Sequence, residues 1–244
     1  MQALFETPTT YHITDAEMAA LVPPIEAVLF DFSNTIFRMI DLEAWLHRVG
    51  EASGRADLLH GTDAVAEISR QLRDAYRLPA VAALQEGRDL SAERHRAAMS
   101  GWWGHVDFLR GAEDTAYGEL TAPDAWVPYA DTESTLRALR ERGTRVGIVS
   151  DFAWDLRTHL AHHGMDDLID GYVISYELGR EKPDPHLFLK ACADLGVDPR
   201  ATLMVGDNPV RDGGATACGL RAYIVPAEQR TGERGLTEVL RLLT

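Results

Sequence analysis

From residue 130 onward, short apolar segments alternate with segments of helical pattern, and this alternation restricts the possible folds more than any other feature of the chain. Strands are predicted at Arg145–Ser150, Tyr172–Ser175, Thr202–Gly206 and Arg221–Val225. Helices are predicted at 131–142, 154–163, 185–195, 212–218 and 236–243. Repeated β-then-α units require right-handed crossovers and form a parallel sheet that helices cover on both faces. The chain is therefore predicted to contain an α/β core with a parallel sheet.

One more strand is predicted near the N-terminus, and a long helical block separates it from the others. The apolar run Ala27–Phe30 leads directly into Asp31, which is typical of a strand buried on both faces. Between Ile36 and Tyr129 no convincing strand pattern is found, and about 90 helical residues are too many for an ordinary crossover. We therefore predict an α/β core of residues 1–35 and 130–244 with an inserted all-α cap of residues 36–129.

Helix signals within the insertion support this division. Helical spacing runs from Leu42 to Val49 and from Val65 to Tyr76, with Thr62 as a candidate N-cap, and Ser91 opens a further helix. Other helical segments are predicted to begin at residue 79 and to span 113–120. Before the first strand, residues 1–24 are predicted to form an N-terminal arm with a short helix at 15–21.

The net charge of −14 restricts the partners of the protein. It disfavours nucleic acids and anionic membranes, which need basic patches, but it allows an anionic substrate wherever a local cation reverses the sign. No apolar run approaches the roughly 18 residues that span a bilayer, and no secretory signal pattern is visible. Two cysteines, Cys192 and Cys218, are too few for a disulfide framework. These features predict a cytoplasmic protein that acts on a small molecule, and they leave its oligomeric state open.

Polar side chains follow the predicted strands at their C-terminal ends. In chain order they are Asp31, Ser33, Asn34, Thr35, Ser150, Asp151, Lys182, Asp207 and Asp212. In a parallel sheet these ends share one edge, where open α/β sheets bind ligands. Each residue alone is compatible with a turn, a cap or a surface role, but their joint order indicates a single cleft. Ser33, Asn34, Thr35 and Asp151 are the candidate substrate contacts in it.

Clustered carboxylates repel one another unless a cation lies between them, and a site with few hard oxygen ligands suits Mg²⁺. Asp31 and Asp207 would each give one oxygen to such an ion, and the second oxygen of Asp31 would be free to attack. Ser150 would donate a hydrogen bond to a phosphoryl oxygen, and Lys182 would offset the remaining negative charge. This constellation predicts phosphoryl transfer through a covalent aspartyl intermediate.

These residues resemble the motifs of the haloacid dehalogenase-like (HAD) hydrolase superfamily. All four motifs can be placed, at Phe30–Thr35, Ile148–Ser150, Lys182-Pro183 and Gly206–Asp212. The resemblance covers about residues 26–35 and 130–244 and implies a Rossmann-like core, and the insertion is similar to the helical cap of the C1-type subfamily.

The resemblance also implies a role for each motif residue. Asp31 is the nucleophile, Ser150 binds the phosphoryl group, and Lys182 stabilises the charge of Asp31 and the substrate. The resemblance further implies that Mg²⁺ is held by Asp31, Asp207 and the backbone carbonyl of residue 33, with Asp212 in support.

Ser33 departs from the pattern of the family. Phosphatases of this family usually have a second Asp there, which acts as general acid and base. A serine hydroxyl cannot do so at neutral pH, and the loss of such a group typically costs about 10²- to 10⁴-fold in rate. Metal binding is less affected, because serine retains the backbone carbonyl that this position contributes.

Three explanations of Ser33 are open. The protein is a slow phosphatase or one for activated phosphates, or the acid comes from the cap, with His95, His105 and Asp107 as candidates, or the chemistry is different. The phosphonate-cleaving branch needs a lysine in the cap, and residues 36–129 contain none. The 2-haloacid dehalogenase branch usually has Tyr in place of Ser33 and lacks the Asp207 pattern, so both residues argue against it.

From the sequence we expect a Mg²⁺-dependent hydrolase of phosphate monoesters of small metabolites. The alternatives are a catalytically silent protein that binds a phosphorylated ligand or a partner, and a 2-haloacid dehalogenase. Trp102, Trp103 and Trp126 would favour a substrate with a flat or apolar part if they face the cleft.

Overall fold

A five-stranded parallel sheet forms the centre of the computed structural model, which describes residues 22–61, 63–226 and 232–243. Its strands are β1 (Ala27–Phe30), β4 (Arg145–Ser150), β5 (Gly171–Ile174), β6 (Thr202–Gly206) and β7 (Arg221–Ile224). They lie in the order β5-β4-β1-β6-β7. Phe30 pairs with Ile148 of β4 and with Val205 of β6, so the chain leaves all three strands at one edge of the sheet.

The central strand β1 is buried on both faces, as its unbroken apolar run predicts. Val28 and Phe30 pack into the larger apolar cluster, which also contains residues of the helical insertion. Ala27 and Leu29 point to the opposite face and pack into a second cluster with Leu187. Successive side chains of a strand point to opposite faces, so four apolar residues in a row supply both sides of the sheet.

The insertion is helical over most of its length. Its helices are α1 (Leu42–Ser53), α2 (Ala64–Tyr76), α3 (Pro79–Gln85), α4 (Ala92–Trp103) and α5 (Glu113–Thr121). The start of α4 follows the predicted signal, because the Ser91 hydroxyl accepts a hydrogen bond from the Arg94 N–H at 3.2 Å. The predicted cap at Thr62 and the predicted helix at 15–21 lie outside the described residues.

The expectation that no strand occurs between Ile36 and Tyr129 is wrong. Strand β2 (Phe37–Met39) pairs antiparallel with β3 (Trp126–Pro128) where the chain enters and leaves the helical insertion. Each strand has three residues, too few for an alternation of apolar and polar side chains to be recognised. The division into a core of 1–35 and 130–244 and a cap of 36–129 stays a prediction.

The remaining helices cover the sheet and connect its strands. They are α6 (Thr132–Glu141), α7 (Arg157–His162), α8 (Ser175–Leu178) and α9 (Pro185–Leu195). Helix α7 is shorter than the predicted 154–163, and α8 was not expected. The segments Gly213–Cys218 and Leu236–Arg241 are 3-10 helices, where α-helices were expected. Two adjacent glycines, Gly213 and Gly214, disfavour an α-helix in the first of them.

The predicted fold class, an α/β parallel sheet with surrounding helices, is confirmed. In the part of the chain that the structure describes, no helix is long and apolar enough to cross a membrane.

Candidate active site

Asp31 follows β1 directly and is held by two donors, Ser150 at the end of β4 and Lys182 in the loop between α8 and α9. Its Oδ1 accepts a hydrogen bond from the Ser150 hydroxyl at 2.8 Å and one from the Lys182 ammonium at 2.7 Å. Only 8% of the residue is exposed. Burial raises the pKa of Asp31 to about 6, although the charge of Lys182 opposes this rise.

Lys182 connects Asp31 to a second buried carboxylate. Its ammonium donates to Asp212 Oδ1 at 2.6 Å, and its backbone N–H donates to Asp151 Oδ1 at 2.8 Å. Burial alone would lower the pKa of Lys182, but the surrounding carboxylates, led by Asp31 and Asp212, outweigh it and raise that pKa. The ammonium is therefore a permanent charge beside the Asp31 carboxylate.

The loop after β6 brings two further carboxylates to the same place. Ligand oxygens of Asp31, Asp207 and Asp212 all lie within 4.8 Å of one another. Burial, and then the charge of Asp212, raises the pKa of the half-buried Asp207. Hard oxygen donors this close repel one another and fit a divalent cation such as Mg²⁺.

The two oxygens of Asp212 have protein partners already. Oδ2 accepts a hydrogen bond from the Asn208 N–H at 2.9 Å, while Oδ1 accepts the bond from Lys182. The Asn208 side chain in turn accepts from the N–H groups of Val210 and Arg211. Asp212 therefore orients Lys182 and the loop, and this agrees with the supporting position that the resemblance implies.

Asp151 was predicted to contact the substrate, but its two oxygens are engaged in positioning other groups. Oδ1 accepts from the Lys182 backbone, and Oδ2 accepts from Arg211 Nη1 at 2.7 Å. Arg211 is a site residue that the sequence reasoning missed. Its position between Asp207 and Asp212 was the available signal, because a cation there offsets neighbouring carboxylates.

Ser33, Asn34 and Thr35, which follow Asp31 in the chain, occupy different environments. Ser33 is partly exposed and Asn34 is exposed, and both line the cleft. Asn34 adopts a positive φ of 55°, a conformation that Asn tolerates better than most residues. Thr35 is fully buried and lines neither of the two cavities described below, so the structure does not bring it to the cleft.

These strand ends enclose a cavity of about 220 Å³, which we call the polar cavity. Eight of the nine predicted site residues line it, and Thr35 does not. Asn208 and Arg211 add to its wall from the loop after β6, and Asp89 adds to it from the 3-10 helix Arg88–Leu90 of the insertion. No pattern in the sequence singles out Asp89.

A second cavity of about 340 Å³, which we call the apolar chamber, adjoins the first. Ser33, Asp89 and Asp151 line both. Trp102, Trp103 and Trp126, whose orientation the sequence left open, all line the chamber.

The three residues of the insertion that were candidates for a replacement acid lie in different places. His95 lines the apolar chamber, but burial lowers its pKa to about 3, so it carries no proton to donate at neutral pH. His105 and Asp107 line neither cavity. Asp107 forms hydrogen bonds with Gln71 and an ion pair with Arg110 on the outside of the insertion. The structure therefore does not bring these two candidates to the cleft.

Comparison with known proteins identifies the family. A family model described as haloacid dehalogenase-like hydrolase matches residues 25–219, which is most of the chain. The chain belongs to the haloacid dehalogenase-like hydrolases, and the resemblance seen in its motifs is confirmed.

Curated relatives include proteins named as phosphatases. The human haloacid dehalogenase-like hydrolase domain-containing protein 3 is 27% identical over 84% of this chain and 83% of its own length. Phosphoserine phosphatase of Thermus thermophilus is 39% identical over 40% of each chain. Glyceraldehyde 3-phosphate phosphatase of Methanothermobacter thermautotrophicus is 34% identical over 46% of this chain and 50% of its own.

Solved structures share the fold across nearly the whole chain. A HAD phosphatase from Thermococcus onnurineus superposes with a TM-score of 0.56 at 24% identity, covering 90% of this chain and 98% of its own. A protein described as a dehalogenase reaches a TM-score of 0.63 at 23% identity, covering 91% and 98%. At this identity the likeness establishes the fold alone.

Proposed function

We propose that the protein is a Mg²⁺-dependent hydrolase of phosphate monoesters of small molecules, with Asp31 as the nucleophile. The observation that carries this proposal is the arrangement around one carboxylate. Asp31 Oδ1 is held by Ser150 and Lys182, and two more carboxylates, Asp207 and Asp212, stand within 4.8 Å. The phosphatase names of two relatives support the same reaction type.

The donors that hold Asp31 also suit a phosphoryl group. The Ser150 hydroxyl reaches Asp31 from the end of β4, and the Lys182 ammonium reaches it from the loop between α8 and α9, so a phosphoryl group bonded to Asp31 would lie next to both. Because they are fixed in place before reaction, they stabilise the charge that develops on the phosphoryl oxygens without reorganisation. Asp31 attacks phosphorus, the alcohol leaves, and water then hydrolyses the aspartyl phosphate.

The carboxylate cluster fits a resident Mg²⁺. Asp31 and Asp207 would hold it with the backbone carbonyl of Ser33, and Asp212 would support the site while it orients Lys182. When bound, the ion supplies positive charge that neutralises the carboxylates and polarises a phosphoryl oxygen. The cytoplasmic location and the lack of nucleic-acid or membrane partners stay predictions from the sequence.

The test is hydrolysis of 4-nitrophenyl phosphate and a panel of small phosphate monoesters, with Mg²⁺ and with EDTA. We expect Mg²⁺-dependent release of phosphate, and we expect Asp31→Asn to abolish it. Asp114→Asn is the matched control, because the Asp114 side chain is 90% exposed and remote from the cleft. Phosphate esters that bind without turnover would indicate a silent ligand-binding protein. Halide release from 2-haloacids in EDTA would indicate a dehalogenase.

A further inference from the structure

The apolar chamber continues the polar cavity in which phosphoryl transfer is proposed to occur. Ser33, Asp89 and Asp151 belong to the walls of both. A monoester whose phosphorus lies beside Asp31 therefore has the chamber next to it.

Aromatic rings supply much of the chamber wall, and they come from both sides of the cleft. Phe152 contacts Trp126 and Trp154, with ring centroids 5.0 and 4.3 Å apart. From the insertion, Trp45 packs on Trp103 with centroids 5.5 Å apart. Contacts of this kind hold the rings in fixed positions, so the wall is already formed before a ligand binds.

Three of the indole N–H groups in this wall are already engaged. Trp102 donates to the Leu72 carbonyl at 2.8 Å, Trp126 donates to the Leu120 carbonyl at 2.9 Å, and Trp154 donates to His159 Nε2 at 2.8 Å. These three side chains therefore offer a ligand mainly carbon surface.

The charged side chains of the chamber balance one another. Arg88 Nε lies 3.5 Å from Asp89 Oδ1, and Asp151 Oδ2 accepts a hydrogen bond from Arg211 Nη1 at 2.7 Å. His95 is neutral because burial lowers its pKa to about 3. A charged group on the leaving alcohol would find no uncompensated partner among the described residues of this wall. The wall chemistry therefore selects an uncharged, apolar group.

The size of the chamber limits that group. Its volume of about 340 Å³ is roughly twice that of an engineered apolar cavity of about 150 Å³ that binds benzene. One or two fused rings fill such a space.

We infer that the apolar chamber binds the alcohol part of the substrate, and that this alcohol is an uncharged aromatic or similarly apolar group of one or two rings. The inference rests on the proposed phosphatase function and names the substrate class of that site.

The test compares two monoesters whose alcohols are equally poor leaving groups, 2-(2-naphthyl)ethyl phosphate and ethyl phosphate. We expect kcat/KM for the naphthyl ester to be higher by on the order of 10²-fold, since buried apolar groups of this size are strongly discriminated. Leu42→Trp, which puts a larger side chain in the chamber wall, should lower kcat/KM for the naphthyl ester much more than for ethyl phosphate and so remove most of this preference. Leu58→Trp is the matched control, because Leu58 is 61% exposed on the insertion and lines neither cavity.

The outcomes separate the inference from the function on which it rests. Equal kcat/KM for the two esters in the unmodified protein overturns the chamber assignment and leaves the phosphatase proposal standing. So does a naphthyl preference that survives in Leu42→Trp. If Leu42→Trp does not fold, Met99→Phe tests the same wall. A protein that hydrolyses neither ester, nor 4-nitrophenyl phosphate, overturns both proposals.

A second inference concerns Asp89 and depends on a different observation. Among the described residues that line the polar cavity, Asp89 is the one that comes from the helical insertion. It also lines the apolar chamber. Asp89 therefore stands where the phosphoryl group and the leaving alcohol meet.

The main chain of Asp89 is fixed to the core. Its N–H donates to Glu181 Oε1 at 3.2 Å, and its carbonyl accepts from the Ser175 hydroxyl at 2.7 Å. No described residue donates a hydrogen bond to its carboxylate, which is 14% exposed. Arg88 Nε and the neutral His95 Nε2 lie 3.5 and 3.8 Å from Oδ1. The carboxyl group is thus held in place and can still exchange protons with a ligand.

The environment of Asp89 raises its affinity for a proton, although the charge of Arg88 opposes this rise. Burial raises the pKa of Asp89 to about 6, and the charges of nearby carboxylates add to this effect. The charged and titratable groups around it are Arg88 on its own turn, and Glu181, Asp151, Arg211 and His95 on the elements packed against it. A carboxyl group with a pKa near the working pH can donate and then recover a proton.

We propose that Asp89 is the general acid and base that Ser33 cannot be. As Asp31 forms its bond to phosphorus, the bond from phosphorus to the leaving oxygen breaks. That oxygen keeps the electron pair and takes the proton of the Asp89 carboxyl group. The Asp89 carboxylate then takes a proton from the water that attacks the aspartyl phosphate, which releases phosphate and restores Asp31 and the protonated Asp89.

The test is the leaving-group dependence of kcat/KM for Asp89→Asn, measured with 4-nitrophenyl, phenyl and 2-phenylethyl phosphates. This constant reports the steps up to release of the alcohol, so it does not include the later hydrolysis of the aspartyl phosphate, in which Asp89 acts as the base. A good leaving group needs no proton, so we expect less than about a threefold change with the first ester. For the alkyl ester we expect a loss of about 10²- to 10⁴-fold, as for removal of a positioned acid. Glu86→Gln is the matched control, because Glu86 is exposed on the same segment and lines neither cavity.

Each other result overturns this inference. An equal loss for all three esters would mean that Asp89 only supports the structure. An unchanged alkyl rate would mean that the proton comes from elsewhere. If the unmodified protein hydrolyses none of these three esters, the phosphatase proposal itself is overturned.

Discussion

The side chain of Asp212 fills the space that a side chain at Gly206 would need. A β-carbon built at Gly206 would overlap the carboxyl group of Asp212, which is fully buried. That carboxyl group holds the Lys182 ammonium at 2.6 Å. A glycine at the end of β6 is thus a requirement of the charge network, because Asp212 can approach the strand only where no side chain intervenes.

Gly206→Ala should therefore displace Asp212 and with it Lys182. We expect the free energy of unfolding to fall by about 1–3 kcal/mol, the usual cost of overpacking, and phosphatase activity to fall with it. Gly213→Ala is the matched control, because a β-carbon at Gly213 meets nothing within 4 Å. Urea denaturation and turnover of 4-nitrophenyl phosphate measure the two effects, and equal stability of the two variants would contradict the overlap.

The sequence predicted the residues of the core site because the C-terminal ends of the strands in a parallel sheet all lie along one edge. Asp31, Ser150, Lys182 and Asp207 are separated along the chain, yet the topology alone brings them to one edge. Apolar runs and turn residues are local signals, and they were enough to find all five strands of the sheet. The roles of these residues stay predictions, while their proximity is a structural finding.

Contributions from the insertion were not predictable in the same way. Asp89 lies in a three-residue 3-10 helix whose position depends on bonds to Glu181 and Ser175, far along the chain. No local pattern encodes such a contact. The burial of Thr35 is likewise a packing result, since its neighbour Asn34 turns outward with a positive φ. Sequence reasoning located the cluster of polar side chains at the edge of the sheet, but it could not tell which residues of the insertion face that cluster.

The raised pKa of Asp89 predicts a pH-dependent cost to stability. The folded protein holds a proton on Asp89 up to about pH 6, while the unfolded chain releases it near its ordinary pKa of 3.8. Stability contributed by this group is therefore present at low pH, decreases as the pH rises from about 4 to 6, and stays lower above that range. A shift of about two units corresponds to about 3 kcal/mol.

Asp89→Asn removes this ionisation and should remove its cost. We expect the variant to be more stable than the unmodified protein at pH 7.5, by up to about 2–3 kcal/mol, and the difference to shrink toward pH 4. Urea denaturation across this pH range measures it. Asp114→Asn, at an exposed position, should show no such trend, and a constant difference for Asp89→Asn would contradict the assigned shift.

Mg²⁺ should stabilise the protein, and more so at pH 7.5 than at pH 5. Ligands must be deprotonated to bind a metal, and the pKa values of Asp31 and Asp207 are both raised, that of Asp31 to about 6. At a hundred times Kd the ion adds about 2.7 kcal/mol, which for a chain of this size raises Tm by about 5–10 °C. Thermal unfolding at matched ionic strength measures the shift. Asp207→Asn should abolish it and Asp114→Asn should keep it, and a shift that is independent of pH would count against binding at this cluster.

Ser33→Asp tests whether the usual acid is missing or has been replaced. Ser33 and Asp89 line the same two cavities, so a carboxyl group at either position can reach the leaving oxygen. With Asp89 present, we expect Ser33→Asp to change the hydrolysis of 2-phenylethyl phosphate by less than about threefold, because the acid is already supplied. In the Asp89→Asn protein the same substitution should raise the reduced rate of hydrolysis by at least about tenfold. If Ser33→Asp alone raised the rate by about 10²-fold or more, the unmodified protein would lack an acid, and the slow-phosphatase interpretation of Ser33 would replace the role assigned to Asp89.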